Sequence, residues 1–375
     1  MEWTAIWSQA MTEPIFGGMI DGKNRTTAFT IPAYVTAGKL RLTFSNLFGK
    51  NCAVVGAASV EMDGVQKPIL FHDAASIEIP AGGEVVSDAV ELPVTYGEPL
   101  TVRIYYPDTP TTVNYTMEDA QVYEGNICMQ PTLPAAIDNE QRKQAGLFVA
   151  IPYLARVEAE VEAESKTIVA FGDSITAMNR WGAPLRDRIC TAYPGQYQLL
   201  NAGISGNCLL YQEQGPMTSS FGEKATARFE RDVLSVKHLY AVIIGLGIND
   251  AAYYTEENEK TINLAAYQAA ITQMTEELHR RGVRVVMQTL TLRKGCTTGE
   301  FTDAMEQLRS QINAWIRSAG IFDYVFDAEA VVRDPQNPEY IADAYHQGDR
   351  LHPNALGGKL LADSYDLKKL LGISE

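Results

Sequence analysis

The sequence predicts an α/β fold, a doubly wound parallel sheet, preceded by an all-β antiparallel sandwich of jelly-roll type. In the first half of the chain, short β-type runs are separated by turn residues, whereas after Ser165 strand patterns alternate with helical patterns. The length of 375 residues is too great for one typical domain and suits two. We therefore expect a sandwich domain over residues 1–160 and an α/β domain over residues 161–375.

The predicted sandwich consists of short strands with alternating character. Residues 39–45 and 76–80 alternate between apolar and polar side chains, and residues 85–94 and 100–106 continue the series. Many short strands with turns at regular spacing are typical of antiparallel sandwiches.

A strictly alternating segment, residues 157–164, joins the two halves and carries four glutamates on one face. This pattern favours a solvated edge strand or a linker over an acidic binding site.

The second half alternates between strands and helices, which predicts a parallel sheet covered by helices. The predicted strands are residues 168–171, 197–201, 240–246, 283–290 and 324–327. The predicted helices are residues 264–281, 303–319 and, near the chain end, about 357–370. Gly282 and Gly320 directly follow the first two helices and are expected to end them.

Charge and composition exclude several classes of function. Lys and Arg number 31 against 46 Asp and Glu, and the resulting net charge of −15 disfavours nucleic acid and anionic membranes as partners. No apolar run reaches the length of about 18 residues that a membrane span needs. The N-terminus has no signal-peptide pattern, which predicts a cytoplasmic protein as the sequence stands, or a secreted one if a signal was trimmed. Five scattered cysteines fit reduced thiols better than disulfides or a zinc site.

Ser174 is the first candidate for chemistry. It follows the apolar run 168–171 in the sequence Gly-Asp-Ser, so it is expected at the carboxyl end of a parallel strand, where α/β proteins bind ligands. A serine at this position is a possible nucleophile. It is also an ordinary helix N-cap, and taken alone that alternative is the stronger.

Two further loops are expected at the same edge of the sheet. Residues 201–207, Asn-Ala-Gly-Ile-Ser-Gly-Asn, follow the second parallel strand, and Gly206 permits close approach of the backbone. Residues 245–250, Gly-Leu-Gly-Ile-Asn-Asp, follow the third. We expect Asn249 to direct its amide towards a point shared with the other loops and Asp250 to cap the next helix.

Asp349 and His352 lie three residues apart, followed by Pro353. This spacing lets a carboxylate orient one imidazole, which is the arrangement that a serine nucleophile requires. His346 is the rival base, but it lacks a following proline and is expected to lack an orienting carboxylate.

Taken together, these segments resemble the SGNH, or GDSL, family of serine hydrolases. The first block of that family matches at Gly-Asp-Ser174, the second at Gly206, the third at Asn249 and the fifth at Asp349 and His352. The blocks occur in the family's order at suitable spacing. The resemblance implies a flavodoxin-like doubly wound sheet for the second domain.

The resemblance extends to a subgroup that carries an N-terminal β-sandwich. Residues 201–210 and 227–234 are similar to that subgroup, as are the spaced tryptophans Trp3 and Trp7 and the segment 42–49. One departure occurs after the first block, where Thr-Ala-Met178 replaces the common Thr-Asp-Gly. The altered loop leaves the acyl and leaving-group pockets undefined.

The resemblance implies an esterase with Ser174 as nucleophile, His352 as base and Asp349 as its orienting acid. The oxyanion would be bound by the Ser174 N–H, the Gly206 N–H and the Asn249 side chain. No cofactor or metal is expected. The predicted substrate is a small-molecule or oligosaccharide ester, above all short acyl groups such as acetyl on carbohydrates. The alternatives are a lipase, arylesterase or thioesterase that acts on longer acyl chains, or a carbohydrate-binding protein with a vestigial hydrolase.

Overall fold

The computed structural model describes residues 1–14, 23–116, 120–137, 149–163, 165–212 and 220–374. These residues divide into two compact units. The first unit comprises the described residues of Met1–Ser165, Pro194–Leu200 and Gly215–Gly222, and the second comprises those of Lys166–Tyr193, Asn201–Gln214 and Glu223–Glu375.

The first unit is built from antiparallel strands. They are β1 (Glu2–Ser8), β2 (Arg25–Pro32), β3 (Ala37–Ser45), β4 (Ala53–Val55), β5 (Ala57–Met62), β6 (Val65–Ile69), β7 (Ile77–Ile79), β8 (Glu84–Val86), β9 (Val90–Val94), β10 (Pro99–Tyr106), β11 (Val113–Thr116), β12 (Ala120–Glu124), β13 (Val149–Pro152) and β14 (Leu154–Val161). One five-stranded sheet has the order β1-β14-β3-β8, with β9 also paired to β3, and the other has the order β12-β2-β10-β5-β6.

Buried apolar side chains from both sheets form one core. Trp7 of β1 and Phe29 of β2 belong to different sheets, and their ring centroids lie 5.2 Å apart. Leu42 and Phe44 of β3 and Val102 of β10 are fully buried in the same core. The alternation read from the sequence therefore produces the predicted antiparallel sandwich, because one face of each strand turns inward.

The prediction of an edge strand or linker for residues 157–164 is wrong for the described part of that segment, which ends at residue 163. Strand β14 lies between β1 and β3, in the interior of its sheet. Glu158 is buried there, and Arg41 compensates its charge by donating two hydrogen bonds to its carboxylate, both of 3.0 Å. Alternation describes the two faces of a strand but carries no information on which strands lie beside it.

The predicted continuous strand 85–94 is also interrupted. Between β8 and β9, the Ser87 hydroxyl accepts the Leu42 N–H at 3.0 Å, while the Ser87 N–H donates to the Leu42 carbonyl at 2.9 Å. The Ser87 side chain thus takes the place of a main-chain acceptor, which interrupts the main-chain hydrogen bonding along β3 between β8 and β9.

From Lys166 onwards, the chain alternates between strands and helices. The strands of this half are β15 (Lys166–Gly172), β16 (Tyr197–Gly203), β17 (Leu239–Gly245), β18 (Arg284–Gln288) and β19 (Tyr324–Phe326). Its helices are α1 (Ser174–Ala177), α2 (Gly182–Ala192), α3 (Ala225–Phe229), α4 (Ile248–Ala252), α5 (Leu264–Arg280), α6 (Asp303–Ser318), α7 (Ala328–Val332), α8 (Ala355–Ser364) and α9 (Leu367–Leu371). A π-helical turn, Glu230–Leu234, continues α3.

These five strands form one sheet with the order β16-β15-β17-β18-β19. Strands β15, β17, β18 and β19 pair in parallel, and Gly172 at the end of β15 is in register with Gly245 at the end of β17. This order is that of flavodoxin-like doubly wound sheets, whose ligands bind at the switch point between the first and third strands. The predicted fold class is confirmed, and the segments after β15 and β17 meet at that switch point.

The last predicted helix, 357–370, is in fact two helices. Tyr365 between α8 and α9 is extended, with φ −66° and ψ 127°, and its ring stacks on Phe326 with centroids 3.7 Å apart. Asp366 then caps α9 by accepting the Lys369 N–H at 3.1 Å. The buried Tyr365 ring and the Asp366 cap therefore divide into two helices a segment that the sequence predicted as one.

Candidate active site

Ser174 lies where the chain leaves β15 and enters α1. Asp173 occupies the N-cap position, with its carboxylate accepting the Ile175 N–H at 3.0 Å, and Ser174 is the first residue of the helix. The capping alternative for Ser174 is therefore wrong, because the residue before it caps the helix. The Ser174 hydroxyl is not needed for capping and has a different partner.

Asp349 and His352 form a compact turn ahead of α8. One Asp349 oxygen accepts the N–H groups of Leu351 and His352 at 3.0 and 2.9 Å, and the other accepts the His352 Nδ1–H at 2.6 Å. Burial by itself would raise the pKa of Asp349, but the hydrogen bond and charge of His352, with the two backbone donors, lower this pKa well below its ordinary value. Asp349 is therefore ionised.

The Ser174 Oγ lies 2.8 Å from the His352 Nε2. Because an ionised Asp349 only accepts hydrogen bonds, the proton of a neutral imidazole resides on Nδ1 and Nε2 is left as an acceptor. The Ser174 hydroxyl then donates to Nε2. The structure thus joins serine, imidazole and carboxylate in one hydrogen-bonded chain.

The expectation that His346 lacks a carboxylate is wrong. Asp343 lies three residues before it, with an oxygen 3.4 Å from the His346 Nε2. That carboxylate is exposed, however, and the His346 Nδ1 accepts the N–H groups of Gly348 and Arg350 at 3.0 and 3.2 Å. Both ring nitrogens of His346 are engaged within its own loop.

Gly206 lies in the loop after β16 and Asn249 lies in α4, and these two segments are in contact. The Asn249 Nδ2 donates to the Asn207 carbonyl at 2.9 Å, which places its amide next to the segment that carries Gly206. Gly206 has φ +76°, a conformation that side chains disfavour. Within the described ranges, the backbone N–H groups of Ser174 and Gly206 have no hydrogen-bond partner in the protein. Both donors are available to a ligand.

Asp250 does not cap a helix as expected, since it lies within α4. Its buried carboxylate accepts three backbone N–H groups of the neighbouring loop, from Leu209, Leu210 and Tyr211, at 2.7, 2.8 and 3.2 Å. Burial raises the pKa of Asp250, while these donors act in the opposite direction. The residue after Asn249 therefore fixes the Gly206 loop, a role that no local sequence signal indicates.

Asp173, which directly precedes Ser174, also has a perturbed pKa. Burial raises the pKa of Asp173 to about 7, against the opposing effects of the Ile175 N–H and of His352 and Arg228. The residue as a whole is only 2% exposed.

No group of three or more His, Cys, Asp or Glu that could hold a metal ion occurs among the residues the structure describes. Within the same residues, no helix is both long and apolar enough to cross a membrane.

A family model described as the GDSL-like Lipase/Acylhydrolase family matches residues 170–360, about half of the chain. The match contains all of the predicted site residues. Among curated proteins, none matches the chain significantly.

Solved structures give distant similarities. Axe2, an acetylxylan esterase from Geobacillus stearothermophilus, is 21% identical, with 57% of this chain and 98% of that chain covered and a TM-score of 0.41. A putative lipolytic protein of the G-D-S-L family from Desulfitobacterium hafniense DCB-2 is 21% identical, with 53% and 97% covered and a TM-score of 0.37. Similarities of this size carry no conclusion about substrate.

Proposed function

Because the chain belongs to the GDSL-like lipase/acylhydrolase family, we propose that it is a serine esterase that hydrolyses carboxylic esters through an acyl-enzyme. The observation that carries the proposal is the chain of hydrogen bonds from Ser174 through His352 to Asp349, with distances of 2.8 and 2.6 Å. Such an arrangement activates a hydroxyl that is otherwise a weak nucleophile.

In the first half-reaction, the Ser174 Oγ attacks the carbonyl carbon of the ester while His352 Nε2 accepts its proton. The ionised Asp349 stabilises the imidazolium that forms and keeps Nε2 directed at the serine. When the tetrahedral intermediate collapses, His352 returns the proton to the leaving alkoxide, and the alcohol departs. The acyl group remains on Ser174.

The negative charge of the tetrahedral intermediate would be bound by three donors. They are the N–H of Ser174, the N–H of Gly206 and the Nδ2–H of Asn249. The first two lack partners among the described residues, and the third already lies beside the Gly206 loop. Donors that are in place before the reaction need no reorganisation as charge develops, which makes such stabilisation effective.

In the second half-reaction, water replaces the alcohol. His352 takes a proton from the water as its oxygen attacks the acyl carbon, and the same three donors bind the second oxyanion. The proton then passes to the Ser174 Oγ as the carboxylic acid leaves. The alcohol and the carboxylic acid have then both been released, and the free enzyme is regenerated.

The second part of the proposal, after the reaction itself, is the class of substrate. The resemblance to sandwich-bearing serine hydrolases supports short acyl groups, such as acetyl, on a small-molecule or oligosaccharide alcohol. The antiparallel sandwich of the first unit is consistent with that subgroup. An intact serine, histidine and carboxylate chain argues against a vestigial hydrolase.

Nitrophenyl esters of graded acyl length, together with acetylated oligosaccharides, test both parts. Wild-type hydrolysis that Ser174→Ala abolishes supports the esterase, and acetyl esters hydrolysed faster than octanoyl esters support the short-chain substrate. Faster hydrolysis of octanoyl esters would replace the substrate class while leaving the mechanism in place.

A further inference from the structure

Arg228 is a fully buried arginine on α3 that the proposed mechanism does not use. Its side chain is 0% exposed, and its guanidinium lies 4.3 Å above the ring centroid of Phe171. Burial lowers the pKa of Arg228, while the neighbouring Asp232, whose carboxylate lies 3.0 Å away, raises it. A charge buried this deeply is costly unless its hydrogen bonds are satisfied.

The hydrogen bonds of Arg228 converge on the segments that carry the proposed oxyanion donors. Nη2 donates to the Gly172 carbonyl at 3.0 Å, and Nη1 donates to the Ala202 carbonyl at 2.8 Å. Nε and Nη2 both donate to the Asn207 Oδ1, at 3.0 and 2.9 Å. One planar group thus connects the ends of β15 and β16 with the loop that follows β16.

Each of these partners is close in sequence to a proposed donor. Gly172 precedes Ser174 by two residues, and Asn207 directly follows Gly206. The Asn207 carbonyl in turn accepts the Asn249 amide at 2.9 Å. All three donors are therefore tied to Arg228 directly or through Asn207.

We propose that Arg228 is the positioning residue that holds the Ser174 N–H, the Gly206 N–H and the Asn249 amide at one mutual geometry. This inference rests on the proposed esterase function and deepens it. The guanidinium suits the task because its five N–H groups have a fixed planar arrangement, whereas a lysine ammonium has three donors on a flexible stem.

The expected consequence is a defect confined to the transition state. Donors that are displaced stabilise the oxyanion less, but the substrate in its ground state carries no such charge. Loss of Arg228 should therefore lower kcat while KM changes little.

The test compares Arg228→Met and Arg228→Lys with a matched control, Arg309→Met. Arg309 is almost as deeply buried in the same unit, with 2% of its side chain exposed, but it donates to Glu306, Glu329 and the Leu290 carbonyl. We expect Arg228→Met to lower kcat for nitrophenyl acetate by about 10²–10³-fold, the effect of losing an oxyanion donor. Arg228→Lys should retain intermediate activity, and Arg309→Met should retain wild-type kcat in its folded fraction.

A second readout separates positioning from general stability. A small alkylboronic acid that adds to Ser174 forms a tetrahedral anion resembling the intermediate. Its inhibition constant should rise in the Arg228 variants in proportion to the loss of kcat/KM, and should be unchanged in Arg309→Met. Asn207→Ala removes one hydrogen-bond acceptor of Arg228 but leaves Asp232, so it should lower kcat and boronate affinity by a smaller factor. This variant serves as the test if both Arg228 variants fail to fold.

Unchanged kcat and boronate affinity in a folded Arg228 variant, or in Asn207→Ala where neither Arg228 variant folds, would overturn the inference. Equal losses in Arg228→Met and Arg309→Met would also overturn it, because they would indicate a general loss of stability. Failure of the proposed function is distinguishable, since it would appear as a wild-type protein that hydrolyses no ester and binds no boronate.

Discussion

Replacing Asn249 by alanine separates its catalytic contribution from its structural one. The Asn249 Nδ2 donates a hydrogen bond of 2.9 Å to the Asn207 carbonyl, and α4 remains attached to the neighbouring loop through the three bonds of Asp250. Loss of one such bond costs about 0.5–1.5 kcal/mol of stability. Loss of an oxyanion donor costs about 2.7–4 kcal/mol of transition-state stabilisation, or roughly 10²–10³ in kcat.

The assay is steady-state hydrolysis of nitrophenyl acetate together with thermal unfolding. We expect kcat to fall by that factor, with KM nearly unchanged and only a small loss of stability. Asn263→Ala is the matched control, because Asn263 caps α5 by accepting the Ala266 N–H at 2.8 Å and its loss costs about 0.5–2 kcal/mol of stability. If Asn249→Ala retained wild-type kcat, or lost no more than the control, Asn249 would not bind the oxyanion.

Three other perturbations follow from the geometry. Asp349→Asn presents an amide N–H to His352 Nδ1 and favours the wrong tautomer, so kcat should fall by about 10⁴-fold in steady-state assays. Asp173→Asn should make the free energy of unfolding less dependent on pH. The pKa of Asp173 is about 7 in the folded state and exceeds that of an unfolded aspartate, so its protonated carboxyl group stabilises the fold. This contribution is complete below about pH 4 and is lost as pH rises through about 7. Gly247→Ala should lower the melting temperature, because Gly247 has φ +122° and a Cβ there would lie 2.5 Å from the Tyr267 ring, with backbone strain alone costing about 1–3 kcal/mol.

A specific experimental result would contradict each of these three predictions. Wild-type kcat in Asp349→Asn would remove the orienting role of that carboxylate. Parallel stability curves for wild type and Asp173→Asn between pH 4 and about 8 would contradict the raised pKa. Gly320→Ala is the control for Gly247→Ala, because Gly320 has φ +66° with nothing within 4 Å of an added Cβ, and equal destabilisation by both would contradict the steric argument.

Local patterns in the sequence were sufficient to predict the two architectures. Apolar runs mark the strands of the parallel sheet, and Gly282, with φ +72°, follows α5 as predicted for a helix end. The serine, histidine and aspartate were predicted from chemistry and order, and the structure places them within hydrogen-bond distance.

Features that depend on long-range contacts were not predictable. The interior position of β14 depends on pairing with two strands distant in sequence, and the break at Tyr365 depends on a ring stacked on Phe326. Asp250 and Arg228 resemble ordinary helical charges in the sequence. Their importance arises from backbone groups that only the folded chain brings to them.

Covalent labelling tests the central claim most directly. The protein is treated with a fluorophosphonate, and the modified residue is identified by peptide mass spectrometry. We predict a single adduct on Ser174 in the wild type, much slower labelling in His352→Ala, and neither adduct nor ester hydrolysis in Ser174→Ala. An adduct on another residue, or wild-type hydrolysis by Ser174→Ala, would contradict the assignment of Ser174 as the nucleophile.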